Sequence, residues 1–215
     1  MIYCVANSKG GTGKTAFTVN LIQHLEIDFI IDVDVTHRGI TSVLSLSKNR
    51  FDIRSPEDEK DILKWVEEGE YKNIIIDCGG FYSTLTQYAI SQSDVVITPS
   101  NDDPTEQFGL ANFNKAMISA SNLVGENLKS IVVINKVYHS RRYFSVMESF
   151  IKTQSNLVLS NIIIPYSASI PNCQFSGDAV KSGSIAAKFY KLAKTLKGIN
   201  MASLCPYFDA KMMFS

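Results

Sequence analysis

Residues 8–15 read SKGGTGKT: two lysines, three glycines and three hydroxyl side chains in eight positions. That mixture suits one chemistry above others, the holding of a phosphate chain. Gly10, Gly11 and Gly13 let backbone N–H groups turn inward as an anion nest. The segment follows an apolar run, IYCVA (2–6), and opens a stretch of helical length. The helix N-terminus then adds its dipole. Lys14 would reach the β- and γ-phosphates, and the Thr15 hydroxyl would hold Mg²⁺. The pattern G-x-x-x-x-G-K-[ST] is met except at its first place, where Ser8 stands. One lysine suffices for a nucleotide's phosphates, so the purpose of Lys9 is a separate question.

Carboxylates stand at the ends of two further apolar runs. Asp32 and Asp34 close DFIIDVD (28–34), where strand alternation turns both to one side. Asp77 closes NIIIDC (73–78) and precedes Gly79 and Gly80.

These residues need a frame that gathers them. Apolar runs at 2–6, 28–34, 73–78, 94–99, 130–136 and 161–165 are rich in Ile and Val, as strands buried on both faces of a parallel sheet are. Helical segments at about 14–26, 57–68, 83–93, 105–123, 140–155 and 183–197 separate them. The alternation predicts an α/β fold: a doubly wound, mostly parallel sheet with helices on both faces. Ligands of such sheets bind beyond the carboxyl ends of the strands. The glycines and acids of residues 7–15, 32–38, 77–80 and 99–104 fall at that edge. A single domain over 1–198 with a tail at 199–215 is expected, because periodicity fades after Gly198.

Bulk properties narrow the class. At 215 residues with 45% hydrophobic and 20% charged side chains, the chain is an ordinary folded protein. Acids and bases number 21 each, so any nucleic-acid site must come from a local patch. Cys4, Cys78, Cys173 and Cys205 form no CxxC pair, and His24, His37 and His139 have no metal-ligand spacing. A reducing cytoplasm fits. No apolar run approaches the roughly 18–20 residues that cross a bilayer, and the glycine loop starts too near Met1 for a signal peptide.

KGGTGKT resembles the deviant Walker A motif of the ParA/MinD superfamily of ATPases, most closely the short ParA proteins of plasmid partition. The resemblance covers about residues 1–197 and implies a fold of the P-loop NTPase type. In that family the lysine matching Lys9 crosses a dimer interface to the partner's ATP, which would explain the second lysine. DVD at 32–34 is similar to the family's motif after strand two, where the residue matching Asp34 orients the attacking water and that matching Asp32 lies near the Mg²⁺ water shell. Val35-Thr36 departs from the Pro-Gln usual in ParA proteins. IIIDCGG (74–80) resembles a Walker B segment, with Asp77 on Mg²⁺ through a water.

The segment 97–109 is similar to a loop that contributes to the dimer interface, although Asp102 and Asp103 also read as caps of the helix opened by Pro104. Asn135 stands where relatives contact adenine. IIPYSASIPN (163–172), which includes Pro165, resembles the loop closing over the base. An ordinary turn at Asn135 remains open.

The resemblance thus implies catalytic roles for Lys9, Lys14 and Asp34. It places ATP against Lys9, Gly10, Gly11, Thr12, Gly13, Lys14, Thr15, Ala16, Asn135 and Pro165, and Mg²⁺ against Thr15, Asp32 and Asp77. It further implies an ATP-dependent homodimer, a centromere-binding adaptor protein and association with the nucleoid. In SGSIAAKFYKLAKTLKG the lysines 188, 191, 194 and 197, with Lys181 upstream, form a face able to meet DNA phosphates without reading sequence. Arg141 and Arg142, expected to open a helix, would extend it; a merely solvated lysine face is the alternative. Pro206 and few basic residues argue against a membrane-binding C-terminal helix in the tail, and a frayed end is expected instead. Two other readings stay open: a MinD-like positioning ATPase on a membrane or cell pole, and a metabolic ATP-dependent ligase or synthetase.

Overall fold

The computed structural model describes residues 1–80 and 83–199. In chain order the elements are β1 (Ile2–Val5), α1 (Lys14–Leu25), β2 (Phe29–Asp32), α2 (Gly39–Leu44), β3 (Ile53–Arg54), α3 (Glu59–Glu68), β4 (Ile74–Asp77) and α4 (Thr84–Ser91). Then follow β5 (Val95–Ser100), α5 (Pro104–Val124), β6 (Ser130–Val137), α6 (Ser145–Lys152), β7 (Leu157–Leu159), β8 (Ile164–Pro165), α7 (Ser169–Gln174) and α8 (Gly183–Lys197).

The strands form one sheet in the order β3-β2-β4-β1-β5-β6-β7, with β8 pairing with β6. Every pairing among the described strands is parallel. Side chains of β1 alternate between two cores: Tyr3 and Val5 face one and Cys4 the other, where Ala6, just past the strand, also packs. Phe17, Leu21, Ile185, Phe189 and Leu192 of α1 and α8 fill the first. Ile62, Ala89, Leu110, Phe113 and Met147 of α3 to α6 fill the second. The doubly wound α/β expectation is met.

Register and connection then make the site. Asp77 lies opposite both Val5 and Asp32, so β1, β2 and β4 end level. β1 leads into α1 on one face, whereas its neighbour β4 leads into α4 on the other. The two loops diverge and leave a crevice at the strand ends, where α/β sheets bind ligands.

Four expectations need correction. The strand expected at 161–165 shrinks to β8 at Ile164–Pro165, and β7 at Leu157–Leu159 precedes it where no strand was expected. The Ser160 hydroxyl accepts the Ile162 N–H at 3.0 Å, a local bond that interrupts the ladder. The helix expected over 140–155 starts only at Ser145, so Arg141 and Arg142 do not open it. Arg141 instead pairs through Nε with Asp102 Oδ2 at 2.5 Å. Asp103 occupies the N-cap position of α5 without a side-chain capping bond, so neither aspartate caps that helix with its carboxylate, although Pro104 does open it. The short elements α2, β3 and α7 have no counterpart in the sequence expectations. Of the tail, residues 200–215 lie outside the described residues.

Candidate functional site: a phosphate cradle at the ends of β1, β2 and β4

The loop between β1 and α1 turns on two glycines with positive φ, Gly11 at 79° and Gly13 at 87°. Gly13 is also the N-cap residue of α1, and no side chain caps this helix N-terminus with a hydrogen bond. β6 braces the loop from behind. Asn135 Nδ2 donates to the Thr12 carbonyl at 2.9 Å, and Lys136 Nζ donates to the Gly11 carbonyl at 3.1 Å. Thr12 is buried, and its hydroxyl has no hydrogen-bond partner among the described residues.

Lys14 is 7% exposed and folds back so that Nζ donates to the Lys9 carbonyl at 3.0 Å. Burial lowers its pKa, while Asp77, Cys78, Asp34 and Glu106 act in the opposite sense. At the next residue of α1, Thr15 Oγ1 donates to Asp77 Oδ2 at 2.9 Å, and one turn on the Thr18 hydroxyl lies 2.5 Å from Oδ1. Asp77 is fully buried. Desolvation pushes its pKa up to about 7 against the lowering effect of the two threonine bonds. Thr18 was not among the expected site residues; its spacing of three from Thr15 on one helix face is the signal that marks it.

The two aspartates after β2 have separate settings. Asp32 is fully buried and accepts three bonds, from Thr41 Oγ1 (2.6 Å), Thr41 N (3.1 Å) and Asp34 N (3.2 Å). Asp34 is half-buried at the crevice mouth, with its Oδ1 3.3 Å from His37 Nδ1 and accepting His37 N at 3.0 Å. The turn after β4 closes against both sides. A Cβ on Gly79 would lie 3.1 Å from Asp34 Cγ, and one on Gly80 would lie 3.2 Å from Gly10 Cα. Glycine at 80 lets the two loops touch backbone to backbone.

Lys9 does not point into the cradle. Its ammonium reaches the first turn of α5, bonding Thr105 Oγ1 at 2.8 Å and Glu106 Oε1 at 2.5 Å. Glu106 is not legible as a site residue in the sequence, because an acid in the first turn of a helix is ordinary. Its 4% exposure is what sets it apart.

Beside the cradle lies a cavity of about 270 Å³, lined by Gly13, Ala16, Phe17, Asn135, Pro165 and Tyr166 among others. It gathers Ala16, Asn135 and Pro165 as expected, although the Asn135 amide donor is committed to the loop. A larger recess of about 390 Å³ opens at the opposite edge of the sheet, near Met1, Tyr71 and Asp94, away from every expected site residue.

The lysines of α8 lie outside this site. Lys191 and Lys194 are exposed and Lys188 is half-buried. Lys181 pairs with Asp178 at 3.6 Å and Lys197 with Glu26 at 3.3 Å, so part of the expected basic face is neutralised. Arg141, bound to Asp102, does not extend it.

Residues 3–180 match the CobQ/CobB/MinD/ParA nucleotide binding domain. The chain belongs to this family. No curated protein sequence matches it. Among solved structures, a protein assigned to plasmid partition in Borrelia burgdorferi B31, bound to AMPPNP, is similar over 92% of this chain and 99% of its own (17% identity, TM-score 0.64). The septum site-determining protein MinD of Pyrococcus horikoshii OT3, complexed with Mg-ADP, shares 18% identity over 92% and 96% (TM-score 0.68). Cobyrinic acid a,c-diamide synthase of Mycobacterium smegmatis, with ADP and magnesium, shares 15% over 91% and 93% (TM-score 0.64). Three activities on one fold mean that the site, not the fold, must decide among them.

Proposed function

We propose that this protein is a Mg²⁺-dependent ATPase of DNA partition. Two chains pair on binding ATP, and each Lys9 serves the nucleotide of the other. The observation that carries the reading is the divergence of the two lysines. Lys14 lies buried over its own loop, whereas the Lys9 ammonium lies outside that cradle on α5. A cation held away from its own phosphates is placed to meet another's.

The residues fit the ligand. The backbone nest, the α1 N-terminus and the unpartnered Thr12 hydroxyl suit phosphate oxygens. Thr15 and Asp77, in contact and with Asp77 buried, suit Mg²⁺; the ion would add to the positive charge that Lys14 brings to this carboxylate. Nucleotides bound by the Borrelia, Pyrococcus and Mycobacterium relatives support ATP and Mg²⁺ here. The cavity at Ala16, Asn135 and Pro165 is apolar enough to take the base. Asp34, less buried and less bonded than Asp32, is the better candidate to orient the attacking water; Asp32 would act by ordering the loop that carries it.

The energy of hydrolysis then changes affinity rather than making a product. The ATP-bound dimer would hold DNA through Lys188, Lys191 and Lys194, and a centromere-binding adaptor would stimulate turnover and release. Lys9, held on α5 outside its own cradle, favours this over the synthetase reading. No helix among the described residues is long and apolar enough to cross a membrane. Co-sedimentation with plasmid DNA and with anionic vesicles, each with and without Mg-ATP, tests the assignment. ATP-dependent recovery with DNA supports partition; recovery with vesicles alone would replace it by membrane positioning.

A further inference from the structure

Lys9 is seated on its own chain at three points. Its N–H donates to Asn7 Oδ1 at 2.9 Å, and Asn7 Nδ2 is tied to the Pro99 carbonyl at 3.0 Å. Its stem lies along α5 at Gly109, where a Cβ would stand 3.1 Å from Lys9 Cβ. Its ammonium ends on Thr105 and Glu106. Glu106 is itself fixed, with Oε2 accepting from Ser100 Oγ at 3.1 Å. Among the described residues, Lys9 is the one cation in an ion pair with this buried carboxylate.

We propose that Glu106 is a positioning residue that holds Lys9 in the unpaired chain, and that nucleotide-dependent pairing must take Lys9 from it. The inference rests on the reading that Lys9 acts across a dimer. One ammonium cannot both lie against an inward-facing carboxylate on its own α5 and extend to a partner's phosphates. Leaving strands a buried charge, which opposes release. The several negative charges of a facing nucleotide favour it. The balance sets the nucleotide concentration at which chains pair. Lys9 thus stays docked at low ATP instead of forming adventitious contacts.

Two measurements test this in the full-length chain. The first follows acylation of the Lys9 amine by an N-hydroxysuccinimide ester, read by mass spectrometry without nucleotide. Lys9 should react more slowly than the exposed Lys191, and Glu106→Gln should accelerate Lys9 while leaving Lys191 unchanged. Equal Lys9 rates in the two proteins would overturn the hold. The second measures pairing by light scattering against AMPPNP concentration with Mg²⁺. Glu106→Gln should lower the half-maximal concentration about tenfold, the difference between a charged and a neutral acceptor. Adding Lys9→Ala should abolish the gain. An unchanged or raised concentration in Glu106→Gln overturns the release step. Thr105→Val, which leaves the carboxylate in place, should move both readouts the same way by less, and guards against a folding defect in the glutamine variant. A wild-type chain that binds AMPPNP and stays monomeric throughout would overturn the pairing reading and the release step together. The acylation rates would then decide the hold alone.

Discussion

Lys14 and Lys191 carry the same charge on two helices that pack on the same face of the sheet, α1 and α8, yet they sit in opposite settings. Lys14 is nearly buried, among groups that include the buried Asp77, and desolvation lowers its pKa. Lys191 stands in water. A buried charge is costly and persists only where something offsets the cost, so its presence points to a ligand. An exposed lysine costs almost nothing, and its position alone says little. The cradle therefore carries a strong functional inference. The α8 face carries a weak one, further reduced by the pairing of Lys181 and Lys197 with acids.

Breaking the cradle should have the largest effect. Lys14→Ala should weaken ATP binding about 100-fold or more, because two or more charge-assisted bonds to phosphate disappear. Isothermal titration on protein shown to be folded by circular dichroism checks this; an affinity within threefold of wild type would remove the phosphate-loop assignment.

Asp34→Ala should slow hydrolysis on the order of 100-fold while changing ATP affinity little, since only the positioning of water is lost. Asp32→Ala should differ in kind. It removes the acceptor of Thr41 and Asp34 N–H groups, so its melting temperature should fall by several degrees. The opposite pattern, with Asp34→Ala unstable and Asp32→Ala stable but inactive, would exchange the two roles.

Asp77 gives a pH-dependent test. Its folded-state pKa, raised to about 7 from 3.8, means that the folded chain holds this proton more tightly than the unfolded chain. The associated stability is present below about pH 4 and is lost as pH rises towards and through 7. Asp77→Asn, which mimics the protonated form, should flatten the dependence of melting temperature on pH between 5 and 8. At pH 8, without metal, it should melt on the order of a few degrees above wild type. The same variant should lose Mg²⁺-dependent turnover. A lower melting temperature than wild type at pH 8 would show that the buried carboxylate is stabilised by something other than protonation.

The smallest structural effect belongs to α8. Replacing Lys188, Lys191 and Lys194 with glutamate should move the melting temperature by only about 2 °C, yet weaken ATP-dependent DNA binding about tenfold or more near physiological salt. The slope of log affinity against log salt should become shallower by about one for each lysine that no longer meets a phosphate. Unchanged DNA binding would make the lysines a solvated face and sharpen the contrast with Lys14.

What the sequence made legible follows the same division. The strands that carry the cradle are runs such as Ile74-Ile75-Ile76, buried on both faces, and a continuous apolar run needs no partner to be recognised. The loop was legible because its glycines, lysines and threonine are contiguous. Long-range pairings were not. Glu106 lies 97 residues from Lys9, and Arg141 meets Asp102 across two separate loops; neither spacing leaves a local pattern. α7 flanks the cavity beside the cradle with six residues, none buried, so it has no apolar stripe to find. β7 escaped notice because it is three residues long with only Leu157 buried, and β8 is shorter than the run at 161–165 because β6 changes register between Asn135 and Val137, with Lys136 at φ 60°, an irregularity that residue types alone do not announce.

The central claim is that the two lysines of one loop serve two nucleotides, and Lys9→Ala tests it most directly. Static light scattering is recorded with and without Mg-ATP, alongside ATP binding by titration. The account predicts that the variant binds ATP within a few-fold of wild type, because Lys14, Thr15 and the backbone nest remain, yet stays monomeric at ATP concentrations that pair the wild-type chain. A Lys9→Ala chain that pairs with ATP and hydrolyses it as wild type does would contradict the account.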